Sequence, residues 1–275
     1  MTPPILLNPG HTERPVTLAR LDGRDVIHKR YRDDGGRAVH RAMVALWNSP
    51  FGAERESVAM PEPLAYDPET HTLTMTALPG DAVAARGDLG STSAELLPVA
   101  RLLADLHSSG VQVDRRRDAH KLLRSLDRKL TGREDGLLHR LAALAPGSEQ
   151  LCPNHGDFSP RNVLAGATGP ALIDFDRIQM AGPGRDVQYL AAWCWVTAVV
   201  GGADPVESWE LGDRFEAAYL AHRPHAAADI VAGRAFHRAS GLVRIATEWS
   251  SMKSDPAAAR TVLDEAWRFA SASGW

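Results

Sequence analysis

The 275-residue sequence predicts an α+β fold with two lobes, in which a small antiparallel β-sheet precedes a mainly helical part. Residues 1–80 contain short apolar runs separated by Gly- and Pro-containing turns, whereas residues 81–275 carry apolar residues at helical spacing. A third observation is the stretch 151–177, in which short apolar runs are separated by Gly and Pro and are accompanied by His, Asp and Asn residues. We therefore predict an amino-terminal lobe of residues 1–80, a hinge at about 77–81 and a carboxy-terminal lobe of residues 81–275.

The amino-terminal lobe begins with a predicted β-hairpin. A short strand is expected at residues 5–7 and a longer one at Val16–Leu21, and Asp22-Gly23 is a strong signal for a two-residue turn. With the turn at these two residues, the strand register pairs Leu18 with Ile27 and Val16 with Lys29. Because side chains alternate along a strand, Ile27 and Lys29 are expected on one face of the sheet.

One helix and two further strands complete the predicted sheet lobe. Residues 37–47 place apolar side chains on one helical face, which indicates a helix packed against the sheet. Residues 64–66 and 73–76 are strand candidates. The second of them leads into Ala77-Leu78-Pro79-Gly80, where the chain is expected to pass to the other lobe.

Helices make up most of the predicted carboxy-terminal lobe. Thr92 and Glu95 form a capping-box pattern for a long helix that ends near His107. Residues 114–140 combine many cations with regularly spaced leucines, which favours a solvated helix over a nucleic-acid patch because aromatic residues are absent there. Asp186 is an N-cap candidate, and further helices are predicted at 187–200, 207–222, 226–250 and 256–272.

The stretch 151–177 in the middle of the chain predicts a phosphoryl-transfer site. Short apolar runs on either side of residues 165–170 indicate a buried hairpin, which folds Asp174 back towards Asn162 and Asp157. Two carboxylates and an amide oxygen suit Mg²⁺, which prefers hard oxygen ligands together with phosphates and water. We predict that Asn162 and Asp174 are metal ligands. We predict that Asp157 positions or deprotonates the acceptor hydroxyl.

The motif His155-Gly156-Asp157, followed by four residues, Asn162, eleven residues and Asp174, resembles the aminoglycoside phosphotransferase and choline kinase superfamily. The resemblance implies a two-lobed protein-kinase-like fold. It also implies phosphoryl transfer with ATP as donor, GTP as an alternative donor, and Mg²⁺. The acceptor it implies is a hydroxyl group of a small molecule such as a sugar, an aminoglycoside or other antibiotic, or an amino alcohol.

The resemblance further implies a nucleotide site in the amino-terminal lobe. Val16, Leu18 and Ile27 are expected to form an apolar roof over the adenine. Lys29, in Val-Ile-His-Lys, is expected to contact the nucleotide phosphates. Relatives pair this lysine with a Glu on the following helix, but residues 37–47 contain none, so the candidate partners are Glu54 and Glu56.

A glycine loop and the hinge complete the expected nucleotide site. The loop between the first two strands should cover the phosphates, and Gly10 is the residue in it that frees the backbone. At the hinge, Thr76 and Leu78 are expected to meet the adenine edge. Asp176 follows Asp174 by two residues on a segment predicted to be extended. It could therefore assist a second Mg²⁺ or form loop hydrogen bonds only.

Composition sets the remaining expectations. A formal net charge of −3 and a pI near 6.4 give no bias towards nucleic acid or an anionic membrane. The two cysteines lack metal-ligand spacing and are expected to be core residues in a reducing compartment. The amino terminus lacks the pattern of a signal peptide. We therefore expect a cytoplasmic monomer or homodimer that acts on a small-molecule hydroxyl substrate.

Two alternative functions fit the same sequence. A peptide or protein Ser/Thr kinase would use the same phosphoryl-transfer residues but would need an open groove for its substrate. A nucleotide-binding module that kept the fold without activity is the second alternative. The poor phosphate loop and the missing helix Glu favour that module, whereas the retention of Asp157, Asn162, Asp174 and Lys29 favours the enzyme.

Overall fold

A computed structural model describes residues 5–8, 13–52, 57–83, 89–130, 135–252 and 255–272. The strands are β1 (Ile5–Leu6), β2 (Val16–Leu21), β3 (Arg24–Arg30), β4 (Pro63–Asp67), β5 (Thr72–Thr76), β6 (Asp81–Ala82), β7 (Cys152–Asn154), β8 (Val163–Gly166), β9 (Gly169–Leu172) and β10 (Gln179–Ala181). The helices are α1 (Gly35–Trp47), α2 (Leu89–His107), α3 (Ala119–Asp127), α4 (Asp135–Leu144), α5 (Gly184–Val200), α6 (Glu210–His222), α7 (Ala227–Met252) and α8 (Pro256–Ala272). The predicted α+β class is confirmed.

The amino-terminal sheet is antiparallel and has the strand order β1-β2-β3-β5-β4. Asp22 and Gly23 join β2 to β3 with φ angles of 49° and 80°. Positive φ at both positions is what a type I′ turn requires, and an Asp-Gly pair tolerates it. The predicted register is confirmed, because β2 and β3 pair Leu18 with Ile27 and Val16 with Lys29.

Helix α1 packs on this sheet through an apolar face. Val39, Met43 and Leu46 are buried, and they share a core cluster with Leu73 of β5. The helix begins two residues earlier than the sequence predicts. Its packing against β4 and β5 holds β3 and β5 in a fixed position, and these strands contribute to the site described below.

The predicted hinge joins the amino-terminal sheet to a second, three-stranded sheet with the order β6-β8-β9. Ala77 donates its backbone N–H to the Asp25 carbonyl (2.9 Å), and Asp81 of β6 already pairs with Ala165 of β8. Gly80 has a φ of 117°, and a Cβ atom there would lie 2.7 Å from the Ala165 carbonyl oxygen. The close approach of the two backbones therefore requires glycine at this point.

Helices α2, α5 and α6 pack together in one core cluster, and α5 also packs with α7 and α8 in a second one. Leu103, Leu190 and Phe215 belong to the first cluster, whereas Trp195 and Leu242 belong to the second. Helix α5 contributes to both clusters and so connects the segment 151–177 with the carboxy-terminal helices. Among the described helices, none is long and apolar enough to span a membrane.

Three local predictions are wrong. Helix α2 begins at Leu89, so the Thr92–Glu95 pair lies inside it and does not cap it. Helix α5 begins at Gly184 with Pro183 as N-cap, so Asp186 lies in its first turn. The cation-rich stretch is not one solvated helix, because Arg116 forms a parallel bridge to Met180 of β10 ahead of α3. In the third case a tertiary contact overrides the local pattern.

Candidate active site

The hairpin of β8 and β9 brings the three predicted catalytic residues together. Val163 pairs with Leu172, and just beyond this pair Ile173 donates its N–H to the Asn162 carbonyl (3.0 Å). The Asn162 side-chain amide donates to the Asp157 carbonyl (2.9 Å). Closure of the hairpin therefore sets Asp174 beside Asn162 and fixes Asn162 against the loop that carries Asp157, as the sequence predicts.

Asp174 has a left-handed backbone conformation with φ 63° and ψ 65°. Such a conformation is unfavourable for most residues but accessible to Asp. The residue precedes a 3₁₀ turn, Phe175–Arg177, so the expectation of an extended segment at Asp176 is wrong. The turn nonetheless leaves the carboxylates of Asp174 and Asp176 close enough to share one cation.

The cation that Asp174 and Asp176 share is Lys29 of β3. Its Nζ donates to Asp174 Oδ1 (2.7 Å) and lies 2.8 Å from Asp176 Oδ2. The Tyr31 hydroxyl donates to the other oxygen of Asp176 (2.6 Å). The predicted partners Glu54 and Glu56 lie outside the described residues. Among those that are described, two aspartates of the catalytic segment take the place of the missing helix Glu.

Burial and neighbouring charges have opposite effects on the pKa values of Lys29 and Asp174. Burial lowers the pKa of Lys29, but Asp174 and Asp176 more than offset it and hold the pKa above its ordinary value. Burial raises the pKa of Asp174, whereas Lys29 and His155 bring it below its ordinary value. For Tyr31, burial and Asp176 both raise the pKa. At neutral pH Lys29 is therefore a cation, Asp174 is ionised and Tyr31 is neutral.

A cleft of about 620 Å³ opens in front of Lys29. The residues expected to contact the nucleotide line it together with both predicted metal ligands: Val16, Leu18, Ile27, Lys29, Thr76, Leu78, Asn162 and Asp174. Gly10 lies outside the described residues. Sequence reasoning missed Met75, Leu164 and Ile173, which also line the cleft. Leu164 and Ile173 belong to the predicted hairpin, so strand alternation could have indicated that they face the cleft.

A second cavity of about 510 Å³ adjoins the first and is strongly polar. Asp157, Asp174 and Asp176 line it together with Arg115 and Arg177. Asp174 lines both cavities. The two spaces therefore meet at this carboxylate, with Asn162 on the side of the cleft and Asp157 on the side of the polar cavity.

Two arginines that the sequence did not single out hold Asp157. Arg244 of α7 donates through Nη2 to Asp157 Oδ1 (2.5 Å), through Nη1 to the Gly156 carbonyl (2.8 Å) and through Nε to Glu248 (3.1 Å). Its guanidinium also lies 4.2 Å from the centre of the Tyr189 ring. Arg177 approaches the other Asp157 oxygen at 3.8 Å. Asp157 is therefore fixed in one orientation.

A buried carboxylate supports the loop that carries Asp157. Asp186 accepts the backbone N–H groups of His155 (2.6 Å) and Gly156 (3.0 Å), and His107 lies 3.4 Å from it. Gly156 has a φ of 78°, and a Cβ atom there would overlap the Arg177 carbonyl oxygen. Asp186 therefore ties the first turn of α5 to the loop that carries Asp157.

The residues present fit a magnesium ion. Asp174 supplies a carboxylate, and the Asn162 amide nitrogen is engaged with Asp157, which leaves the amide oxygen as a ligand. No described group of three or more His, Cys, Asp and Glu side chains could hold a metal ion. Mg²⁺ suits such a sparse set, because it is commonly held by one or two protein ligands together with substrate phosphates and water.

Comparison with known proteins agrees with this geometry. The family model of the phosphotransferase enzyme family matches residues 6–229. No curated protein matches the chain. Among solved structures, the chain is similar to a thermostable mutant of aminoglycoside phosphotransferase APH(4)-Ia in its apo form. The TM-score is 0.70 and the identity is 15%, with 100% of this chain and 96% of that chain covered.

Two further structures have the same fold. Amicoumacin kinase hAmiN in complex with AMP-PNP, Ca²⁺ and Ami matches with a TM-score of 0.69 and 14% identity over 98% of this chain and 88% of that one. A choline/ethanolamine kinase family protein from Mesorhizobium loti matches with a TM-score of 0.62 and 15% identity over 98% and 89%. At such low identities the similarity establishes the kinase-like fold.

Proposed function

Because the chain belongs to the phosphotransferase enzyme family, we propose that it transfers the γ-phosphoryl group of Mg-ATP to a hydroxyl group of a small molecule. The observation that carries the proposal is the junction of the two cavities at Asp174. The cleft suits a nucleotide with its phosphates directed towards Lys29 and Asp174. The polar cavity, with Asp157 in its wall, suits the acceptor.

In this proposal the two sides of the cleft have separate tasks. The lobe of residues 1–80 binds the nucleotide: Val16, Leu18 and Ile27 cover the adenine, and Thr76 and Leu78 face its edge. The lobe of residues 81–275 supplies the catalytic loop and the acceptor cavity. We propose that the protein acts as a monomer or a homodimer.

Each proposed catalytic role follows from a side chain's position. Asp174 and Asn162 hold Mg²⁺, which neutralises charge on the phosphates when it is bound. Lys29 adds a second positive charge at the phosphates. Asp157 orients the acceptor hydroxyl or accepts its proton while the hydroxyl oxygen attacks the γ-phosphorus. Arg244 keeps the Asp157 carboxylate pointed towards the polar cavity.

The complex of hAmiN with AMP-PNP and Ca²⁺ supports the use of a nucleotide and a divalent cation at such a site. For this chain we propose ATP and Mg²⁺, with GTP as the alternative donor. The test is incubation with Mg-ATP or Mg-GTP and a panel of sugars, aminoglycosides, macrolides, amino alcohols and peptides. A mass increase of one phosphoryl group on a small molecule, lost in Asp157→Asn, supports the proposal. Phosphorylation of peptides alone contradicts it.

A further inference from the structure

An extended segment ahead of α3 carries two arginines to the wall of the polar cavity. Met180 of β10 donates its N–H to the Arg115 carbonyl (2.7 Å), and Arg117 donates its N–H to the Met180 carbonyl (2.9 Å). These bonds fix the backbone of the segment against the strand that follows the catalytic hairpin. Because side chains alternate along an extended chain, Arg115 and Arg117 project to the same side.

Three more arginines meet them there, and together they form what we call the arginine cluster: Arg115, Arg117, Arg177, Arg185 and Arg244. Arg177 lies in the turn after Asp174, Arg185 lies in the first turn of α5, and Arg244 lies on α7. Arg115 and Arg177 line the same cavity as Asp157. Two members of the cluster, Arg115 and Arg177, therefore border the space proposed for the acceptor.

The carboxylates in reach pair with only part of this cluster. Arg244 pairs with Asp157 and Glu248, and Arg177 reaches the same two carboxylates only at 3.8 and 3.9 Å. Arg115 and Arg117 have no ion-pair partner within 4.0 Å among the residues that the structure describes. The side-chain hydrogen bond of Arg115 goes to the Asp176 backbone carbonyl (3.4 Å).

Burial and mutual repulsion lower the pKa values of three members of the cluster. Burial lowers the pKa of Arg115, and the neighbouring Arg177 and Arg244 lower it further. The pKa of Arg117 is lowered in the same way by burial and by Arg115. For Arg185, burial and the neighbouring arginines bring the pKa to about 9. Positive charge is therefore concentrated in this region, and of the two arginines that line the cavity Arg115 has no carboxylate within ion-pair distance among the described residues.

The acidic residues of α6 do not offset this charge. Glu216 is buried and accepts from Arg234 Nε (3.1 Å) and from Gln188 (2.5 Å), and Asp213 accepts from Arg238. Neither of these acids lines the polar cavity. Asp157, Asp174 and Asp176 do line the cavity, but Arg244 pairs with the first and Lys29 with the other two. A polycationic acceptor would therefore meet Arg115 and Arg177 beside carboxylates that are already paired, and like charges brought together in a cavity oppose binding.

We propose that the acceptor carries an acidic group, either a carboxylate or a phosphate ester, that binds Arg115 and Arg177 with Arg117 behind them. This inference rests on the proposed function, since it assigns the polar cavity to the acceptor. An oxyanion with two acceptor oxygens matches the planar fork of a guanidinium. Its negative charge also relieves the mutual repulsion of the arginine cluster.

When the arginines bind the acidic group of the acceptor, its hydroxyl group is free to react. Its oxygen forms the new bond to the γ-phosphorus, the bond from that phosphorus to the oxygen shared with the β-phosphate breaks, and ADP leaves. The hydroxyl proton passes to Asp157, and nothing is oxidised or reduced. The acid group determines which hydroxyl of the acceptor reaches Asp157.

Matched pairs of probes test the inference by calorimetry in the presence of AMP-PNP and Mg²⁺. The pairs are glucuronate with glucose, glycerate with glycerol, and glycerol phosphate with glycerol; an aminoglycoside serves as the polycation. We expect at least one acid to bind more tightly than its neutral counterpart. In Arg115→Gln/Arg117→Gln this preference should fall by about 10- to 100-fold, the effect of losing hydrogen bonds to a charged group.

Arg124→Gln is the matched control, because Arg124 is an exposed cation of α3. It should keep the preference for the acid. The carboxylate and phosphate pairs distinguish the two kinds of acidic group. Equal binding of every acid and its neutral counterpart, or tighter binding of the aminoglycoside, overturns the inference while nucleotide binding still supports the proposed function. Failure to bind AMP-PNP at all overturns the proposed function itself.

Steady-state kinetics show whether the arginines bind the acceptor or act on the transferred phosphoryl group. If the double variant lowers kcat equally with acidic and neutral acceptors and leaves their KM ratio unchanged, the arginines act on the phosphoryl group, and the inference is overturned. An increase in KM confined to the acidic acceptor supports it. The same preference for the acid should weaken at high ionic strength, because salt screens partly exposed charges.

Discussion

Arg244 Nη2 and Asp157 Oδ1 are 2.5 Å apart although 87 residues separate them in the sequence. Arg244 is 6% exposed, and its other nitrogens bind the Gly156 carbonyl and Glu248. Burial lowers the pKa of Arg244, but Tyr189, Asp157 and Glu248 offset this effect and raise it above its ordinary value. A long carboxy-terminal helix thus controls the orientation of the proposed catalytic carboxylate.

Arg244→Gln should lower kcat by about 10- to 100-fold, since it removes a charged hydrogen bond that orients Asp157. The KM for ATP should change little, because Arg244 does not line the nucleotide cleft. Steady-state kinetics measure both values. Arg234→Gln is the control, because it also removes a carboxylate-paired arginine of α7, away from Asp157. A shift in the KM for ATP without a change in kcat would contradict the positioning role.

Asp157→Asn should reduce turnover by about 10²- to 10⁴-fold, because the amide cannot accept the hydroxyl proton. Nucleotide binding should persist, since Asp157 lies on the side of the polar cavity. Single-turnover kinetics and AMP-PNP titration test the two expectations separately. Asp114→Asn, at an exposed aspartate paired with Arg41, provides the control. Turnover close to that of the unmodified enzyme would remove Asp157 from this role.

Lys29→Met should raise the KM for ATP by about 10- to 100-fold, the range expected when hydrogen bonds to a charged group are lost. The change also leaves Asp174 and Asp176 without the cation that lies 2.7 and 2.8 Å from them. Kinetics at saturating Mg²⁺ measure the effect. Lys121→Met on α3 serves as control, because the hydrogen bond described for its Nζ goes to the Arg116 carbonyl, away from the cleft. An unchanged KM for ATP would contradict a phosphate contact by Lys29.

Asp186→Asn should lower the free energy of unfolding by about 3–5 kcal/mol, because it breaks a buried charged network. Burial raises the pKa of Asp186, but His107, His155 and the Gly156 N–H hold it below its ordinary value. A depressed folded-state pKa stabilises the protein above the unfolded-state pKa, and this contribution is lost as pH falls through the folded value.

Urea unfolding at a series of pH values measures this contribution. The difference between the unmodified protein and Asp186→Asn should be largest at neutral pH and should shrink below about pH 4, where the unfolded carboxyl begins to protonate. Asp114→Asn should show little difference at either pH. Equal destabilisation by Asp186→Asn at pH 7 and pH 3 would show that the charge is not responsible.

Structural features that depend on local chemistry could be predicted from the sequence. Asp22-Gly23 favours one turn type, and that turn fixes the register that sets Val16 opposite Lys29. The apolar runs around residues 165–170 likewise predict the hairpin that returns Asp174 to Asn162. In both cases the interacting residues are close in sequence, so turn chemistry and strand alternation determine the contact.

The partners of the catalytic residues could not be predicted in this way. Arg244 lies on a helix whose spacing gives no sign that one arginine reaches Asp157. Asp176 was expected on an extended segment, but the left-handed backbone of Asp174 begins a turn instead. Arg115 and Arg117 resemble solvated cations in sequence, and their bridge to Met180 depends on tertiary packing. The positions of Arg244, Asp176 and the Arg115–Arg117 segment all depend on contacts between segments that are distant in sequence.

The most direct test of the proposed function is titration of the protein with AMP-PNP in the presence and absence of Mg²⁺, for the unmodified chain and for Asp174→Asn. The proposal predicts tighter nucleotide binding with Mg²⁺ in the unmodified protein and loss of most of that gain in the variant, because Asp174 is a proposed metal ligand. Equal affinity with and without Mg²⁺ in the unmodified protein would contradict the proposal.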